Sequence, residues 1–219
     1  MKIATWNVGR PAKTGERNAL LIETLDQVNA DILILTETNE SLNIGGSYHR
    51  FTTNILTDHY YNEGERRTII YSRYPVKQHF ETFSGDTSIC VEAETPQGNL
   101  IVYGTVIGSH GNRNASFNED LNRHLSDFEK IYQAGAFCIS GDFNTSFCDN
   151  YYNMQYGRTK LKTAFDKFQL TNLTADLPGN IDHIVVSNYF MENKMFDIDV
   201  WNQDKKLSDH IGVLVTILS

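Results

Sequence analysis

Five short polar clusters stand at the ends of apolar runs in this chain: Thr5-Trp6-Asn7, Thr36-Glu37-Thr38, Ser140-Gly141-Asp142-Phe143-Asn144, Ile181-Asp182-His183-Ile184 and Leu207-Ser208-Asp209-His210. Between them they supply three Asp, one Glu, two Asn and two His, a pool of hard oxygen ligands plus imidazole. Oxygen donors with one or two carboxylates are what Mg²⁺ or Mn²⁺ takes, usually while keeping several waters. Singly, each cluster has an ordinary reading. A lone Asn or Asp at a strand end caps a helix or closes a turn, Glu37 could end a strand in a salt bridge, and Asp209-His210 could be a surface hydrogen-bonded pair. Together they are harder to explain that way, because acidic groups gathered without a cation repel one another.

Such residues need a scaffold that brings strand ends together, and the rest of the sequence alternates strand-like and helix-like runs. Lys2 to Trp6 is β-prone, and Glu16 to Asn29 carries Leu20, Leu21, Ile22, Leu25 and Val28 at helical spacing. Ile32 to Leu35 is a continuous apolar run, the pattern of a strand buried on both faces. Further strands are expected at Tyr48 to Thr53, Arg67 to Ser72, Ser88 to Glu94 and Asn99 to Ile107. The turn residues Thr95-Pro96-Gln97-Gly98 join the last two as a hairpin. Asn118 to Ala134 reads as an amphipathic helix with Leu121, Leu125, Phe128, Ile131 and Tyr132 on one side. Ala136 to Ser140 is another buried strand, Lys160 to Phe168 a shorter helix, and strands follow at His183 to Ser187 and Gly212 to Ile217. Hairpins among the strands favour a mixed sheet. With no repeat, low-complexity tract or linker, residues 1–219 are expected to form one domain.

Composition narrows the partners. The 219 residues are 40% hydrophobic and 21% charged, which suits a packed globular core. A formal charge of −8 and a pI near 5.3 argue against holding nucleic acid by bulk electrostatics, since phosphate backbones are gripped by clustered Lys and Arg. They do not argue against a nuclease, because metal-ligating carboxylates add negative charge that the cation locally reverses. Cys90, Cys138 and Cys148 have no CxxC spacing and read as reduced packing residues rather than a zinc site. No apolar run approaches membrane-spanning length and no signal-peptide pattern opens the chain, so a cytoplasmic monomer is expected.

The ordered motifs T-W-N-V, L-T-E-T, Ile69-Ile70-Tyr71-Ser72-Arg73, S-G-D-F-N, I-D-H-I and L-S-D-H, running from Ile3 to the C-terminus, resemble the endonuclease/exonuclease/phosphatase (DNase I-like) superfamily. The resemblance implies an α/β fold, a four-layer αββα sandwich of two mixed sheets flanked by helices, with the site at one end of the sheets. It implies that Glu37 is the main ligand of a Mg²⁺ ion (Mn²⁺ as a substitute), with Asn7 and Asp209 close to the same ion. Asp142 would align or deprotonate the attacking water, and Asn144 would hydrogen-bond a phosphate oxygen. His210 would contact the scissile phosphate, oriented by Asp182 as a carboxylate fixes an imidazole tautomer in other hydrolases. Phosphoester hydrolysis needs an in-line nucleophile and neutralised charge on the phosphate oxygens, and a carboxylate, a metal and a fixed imidazole meet those needs.

Several positions depart from the family pattern. Where many members place a His or Tyr after V-Y-G, Thr105 is expected, so help at the phosphate could fall to the metal or to His110. Gly9 stands where some nucleases carry an acidic residue, which removes a ligand from any second metal position. Arg66-Arg67 could meet substrate phosphates or face solvent, and Tyr60-Tyr61 and Tyr151-Tyr152 could stack on bases. Nucleic acid is the expected substrate class for a metal-dependent phosphodiesterase of this kind. A small-molecule or lipid phosphoester is the rival that the acidic pI favours, and a non-catalytic binding member is a third reading.

Overall fold

A computed structural model describes residues 1–108, 115–152 and 155–218. Strands β1 (Lys2–Asn7), β2 (Ile32–Asn39), β3 (His49–Thr52), β4 (Glu65–Ser72), β11 (Met195–Trp201) and β12 (Gly212–Leu218) form one sheet, ordered β11-β12-β1-β2-β4-β3. Strands β5 (Val76–Phe80), β6 (Ser88–Thr95), β7 (Gly98–Val106), β8 (Phe137–Asp142), β9 (Leu170–Asn172) and β10 (Asp182–Ser187) form the other, ordered β5-β6-β7-β8-β10-β9. Both sheets are mixed. β1 runs parallel to β2 and β7 parallel to β8, while their other neighbours are antiparallel.

The period-two alternation of side chains sorts each strand between two cores. Ile3, Ile32, Ile34 and Val215 of the first sheet pack with Val91, Val102, Cys138 and Ile184 of the second, forming the layer between the sheets. The alternate residues of the first sheet, among them Ala4, Trp6, Leu33 and Leu35, pack against Leu21 and Leu25 of helix α1 (Glu16–Val28). On the far side Ile101, Tyr103, Phe137, Ile139 and Val185 meet Leu121 and Phe128 of α2 (Ala115–Ile131) and Leu161 and Phe165 of α3 (Gln155–Lys167). The layers therefore run helix, sheet, sheet, helix, as the resemblance implied.

The elements differ in detail from the sequence reading. Helix α1 ends where Asn29 takes a left-handed conformation (φ 51°) and its N–H bonds Leu25 O. Leu20, expected in the apolar stripe, is 44% exposed. α2 begins at Ala115 rather than Asn118, and α3 at Gln155 rather than Lys160. Strands β5, β9 and β11 and the short helix α4 (Asn188–Met191) were not anticipated. β5, β9 and β11 are sheet-edge strands, and β5 (VKQHF) and β11 (MFDIDVW) are largely exposed. Charged side chains are what keep such edges from pairing with another chain.

Candidate active site

Parity along the strands decides which polar residues meet. Asn7 follows Ile3 and Thr5, Thr36 follows Ile32 and Ile34, Asp142 follows Cys138 and Ser140, and Asp182 precedes Ile184 and Val186. Each lies on the face its strand turns toward the other sheet, at the end where the apolar layer stops. Asn7 Nδ2 donates to Asp142 Oδ2 at 3.0 Å across the sheets, joining residues far apart in sequence. Asn7 Oδ1 accepts from Gly9 N at 2.9 Å, and Asn7 O accepts from the Ser208 hydroxyl at 2.6 Å.

Asp142 lies directly opposite Asp182 in the β8–β10 ladder, and both carboxylates are buried. Like charges facing one another across strands destabilise the sheet. Burial raises the Asp142 carboxyl, the Asp182 charge raises it further, and His210 and the Asn144 N–H act the other way, leaving it at about 7. His210 Nδ1 donates to Asp182 Oδ2 at 2.6 Å. Burial alone would lower the imidazole, but the charge and hydrogen bond of Asp182, with Asp142 and Asp209 behind, raise it to about 10. Asp142, Asp182 and His210 each offer a ligating atom, and these atoms lie within 4.8 Å of one another.

Asn144 has φ +48° and donates its own N–H to Asp142 Oδ1 at 2.8 Å, with Nδ2 on Ile107 O at 2.9 Å. Gly141 before it is required by space, because with φ +136° a Cβ there would come 2.0 Å from Thr105 O on the parallel neighbour β7. Glu37 is also left-handed, at φ +45°, in a conformation that is strained for a side chain of its length. Its backbone O accepts from Arg10 N at 2.7 Å, and its Oε1 faces Arg67 Nη1 at 3.3 Å. Glu37 is close enough to raise the Asp142 carboxyl. Asp209 presents a carboxylate that is 87% exposed, with Oδ1 4.0 Å from His210 Nε2.

The hard oxygens of Glu37, Asn7 and Asp209 suit a divalent cation. The buried Asp182 Oδ1, which has no hydrogen-bond partner, shows that the cluster is underfurnished with positive charge. His210 is committed through Nδ1 to Asp182, so within the Asp142–Asp182–His210 trio that nitrogen is not free as a ligand atom.

The sequence expectation for Thr105 is corrected. Its side chain is fully enclosed on the helix side of β7, with Oγ1 2.7 Å from both His124 Nε2 and Ser88 Oγ. The β7 residue registered beside Asp142 is Val106. Arg66 and Arg67 are likewise neither solvent-facing nor free for phosphate. Arg66 bonds Glu40 at 3.2 Å and Thr53 O, and Arg67 is held by Glu37 and by the Tyr61 hydroxyl at 3.1 Å. His110 lies outside the described residues. His183 points away from Asp182 into the helix-side layer, between Thr145 O at 2.9 Å and the Thr174 hydroxyl at 3.1 Å.

Sequence reasoning missed the supports of the loop that carries His210. Trp6 Nε1 and Asn202 Nδ2 both donate to His210 O, at 3.1 and 2.7 Å. Arg17 binds Leu207 O, Gly9 O and Val8 O. Ser208 could have been found from its place in the L-S-D-H motif. Arg17 and Asn202 carry no local signal, because their partners are backbone carbonyls elsewhere in the chain.

A family model for the endonuclease/exonuclease/phosphatase family matches residues 4–210. A search of curated proteins found no match. Among solved structures the chain is similar to an AP endonuclease from Archaeoglobus fulgidus (TM-score 0.74, 15% identity, 99% of this chain and 98% of that one). It is similar to a 3'-5' exonuclease (NExo) from Neisseria meningitidis (TM-score 0.70, 15% identity, 100% of both chains). It is also similar to a humanized D. rerio TDP2 (TM-score 0.68, 15% identity, 100% and 99%). At these identities the likeness is one of fold.

Proposed function

This chain belongs to the endonuclease/exonuclease/phosphatase family, and on that premise we propose that it is a divalent-metal-dependent phosphodiesterase that hydrolyses nucleic-acid phosphodiester bonds. The observation that carries the proposal is the pair of opposed buried carboxylates, Asp142 and Asp182, joined to an ion-paired His210 where the two sheets open. A fold gains nothing from that arrangement unless charge is to be managed there.

Glu37, with Asn7 and Asp209, would hold Mg²⁺ or Mn²⁺. The ion, when bound, supplies charge neutralisation at the phosphate oxygens. Asp142, held by Asn7 Nδ2 and the Asn144 N–H, accepts the proton of the attacking water. His210 Nε2 binds a non-bridging oxygen, Asp182 holding the imidazole with Nδ1–H inward so that Nε2 faces the phosphate. Asn144 joins it only by exchanging its Nδ2 bonds to Ile107 O and Asp142 Oδ2 for the substrate. The second reading, a small-molecule or lipid phosphoester, is favoured by one observation. Arg66, Arg67 and Arg10 are all spent on carboxylates of the chain itself.

A substrate panel in Mg²⁺, Mn²⁺ and EDTA tests both readings, using single- and double-stranded DNA, an abasic duplex, RNA, bis-p-nitrophenyl phosphate and p-nitrophenyl phosphate. Cation-dependent cleavage of a polynucleotide is expected, abolished in Glu37→Ala and reduced at least ~10²-fold in Asp142→Ala and His210→Ala. Turnover of the small esters alone would establish the second reading, and silence across the panel would leave a binding protein.

A further inference from the structure

Beside His210 the opening has a lip that the chemistry above does not use. Tyr151, in the loop after β8, and Lys205, in the loop between β11 and β12, line one narrow cleft together with Asp182, Asp209 and His210. Lys205 Nζ donates to Tyr151 Oη at 2.8 Å and also lies 4.7 Å from the centroid of the Tyr151 ring. The ammonium therefore sits at the hydroxyl end of the ring, off its faces, and Tyr151 remains 51% exposed.

Lys205 is placed deliberately. Its backbone is left-handed (φ +54°), an uncommon conformation for a lysine, and its N–H closes a turn onto Asn202 O at 2.9 Å. The same Asn202 holds Ser208 O and His210 O at 2.8 and 2.7 Å, so one residue fixes both the lysine turn and the catalytic histidine. Around the site Arg10, Arg66 and Arg67 each pair with a carboxylate, and the neighbouring Lys206 pairs with Asp204. Among the described residues no carboxylate lies within ion-pair distance of Lys205. In a chain of net charge −8, Lys205 brings a cation without an ion pair to the mouth, beside an open aromatic ring.

We infer that Tyr151 and Lys205 form a one-nucleotide subsite for unpaired nucleic acid flanking the scissile phosphate. The free face of Tyr151 stacks the base, and Lys205 meets the neighbouring phosphate. Stacking on an aromatic face combined with a backbone cation is how single strands are held, whereas the bases of an intact duplex are already stacked on one another. A small diester carries neither a neighbouring base nor a neighbouring phosphate. The lip therefore supplies selectivity for a single strand, or a frayed end, that the carboxylate cluster cannot. This inference rests on the nuclease reading.

The test compares wild type with Tyr151→Leu, Tyr151→Phe and Lys205→Asn, asparagine being chosen because it tolerates the left-handed backbone. Two quantities are read: the ratio of kcat/KM on a single-stranded oligonucleotide to that on bis-p-nitrophenyl phosphate, and anisotropy binding of the oligonucleotide in EDTA. Tyr151→Leu and Lys205→Asn should each lower the ratio and the affinity about tenfold. Tyr151→Phe should retain most of both, and Lys205→Asn should reduce the log–log salt slope of binding by about 0.7. If wild type cleaves the oligonucleotide and the variants match it within about twofold, the lip is overturned while the nuclease reading stands. If wild type turns over only the small diester, the nuclease reading and the subsite fall together.

Discussion

At the scale of single residues, the site works through the commitment of each polar atom. Asp182 spends Oδ2 on His210, and Asp142 accepts from Asn7 and from the Asn144 N–H. The imidazole is thereby held with Nδ1 inward, and in the proposed mechanism Asp182 acts by positioning it. Asp182→Asn should lower kcat by about 10²-fold or more, because an amide can turn its N–H toward the ring and favour the wrong tautomer. KM should stay within about threefold, and a full kcat in this variant would remove Asp182 from its role. Asn7, Glu37, Asp142, Asn144, Asp182, Asp209 and His210 were legible as candidates because each stands in a short motif at or near a strand end. The engagement of Arg67 by Glu37 and the enclosure of Thr105 were not legible. Both depend on which face of a strand meets which neighbour, and a one-residue change of parity reverses the answer.

At the scale of elements, β10 shows how one strand serves two layers. Asp182 faces the opposing sheet and His183 faces the helices, with Phe143 and Phe147 against its ring. Burial lowers the His183 imidazole to about 4, despite the Thr145 carbonyl and the Asp182 charge. A histidine held neutral in the fold binds fewer protons than in the unfolded chain between pH 6.5 and 4. Its contribution is therefore complete above 6.5 and is lost as pH falls through that window. Urea unfolding at pH 7 and pH 4.5 should show wild type losing ~2 kcal/mol more stability than His183→Gln between the two pH values. Equal losses would mean that the ring is not held neutral. The strands and helices at the centre of the fold were legible from their apolar periodicity. Edge strands β5 and β11 were not, since their exposed, charge-bearing sequences are written against pairing rather than for burial.

At the scale of the molecule, the two sheets share one inner layer, and the site sits at its open rim. Residues from β1, β2, β8, β10 and the loop before β12 converge there, so neither sheet holds a site alone. Ile34 lies at the centre of that layer and is fully enclosed. Ile34→Ala should cost about 2–5 kcal/mol and leave a single cooperative transition. Amide hydrogen exchange in strands of both sheets should quicken together. Protection persisting in one sheet after the other has exchanged would divide the chain into two folding units.

The sequence by itself determined the family, the alternation that makes strands and helices, and the chemical identity of the central residues. Those signals are local: a motif, a period, a polar residue closing an apolar run. Only the tertiary structure decided that Asp142 opposes Asp182, that Thr105 turns from the site toward His124, and that Arg66 and Arg67 are spent within the chain. It alone brought Tyr151 to Lys205 beside His210. Each of these is a matter of strand register, sheet face or loop docking between residues distant along the chain, and no local spacing encodes such distances.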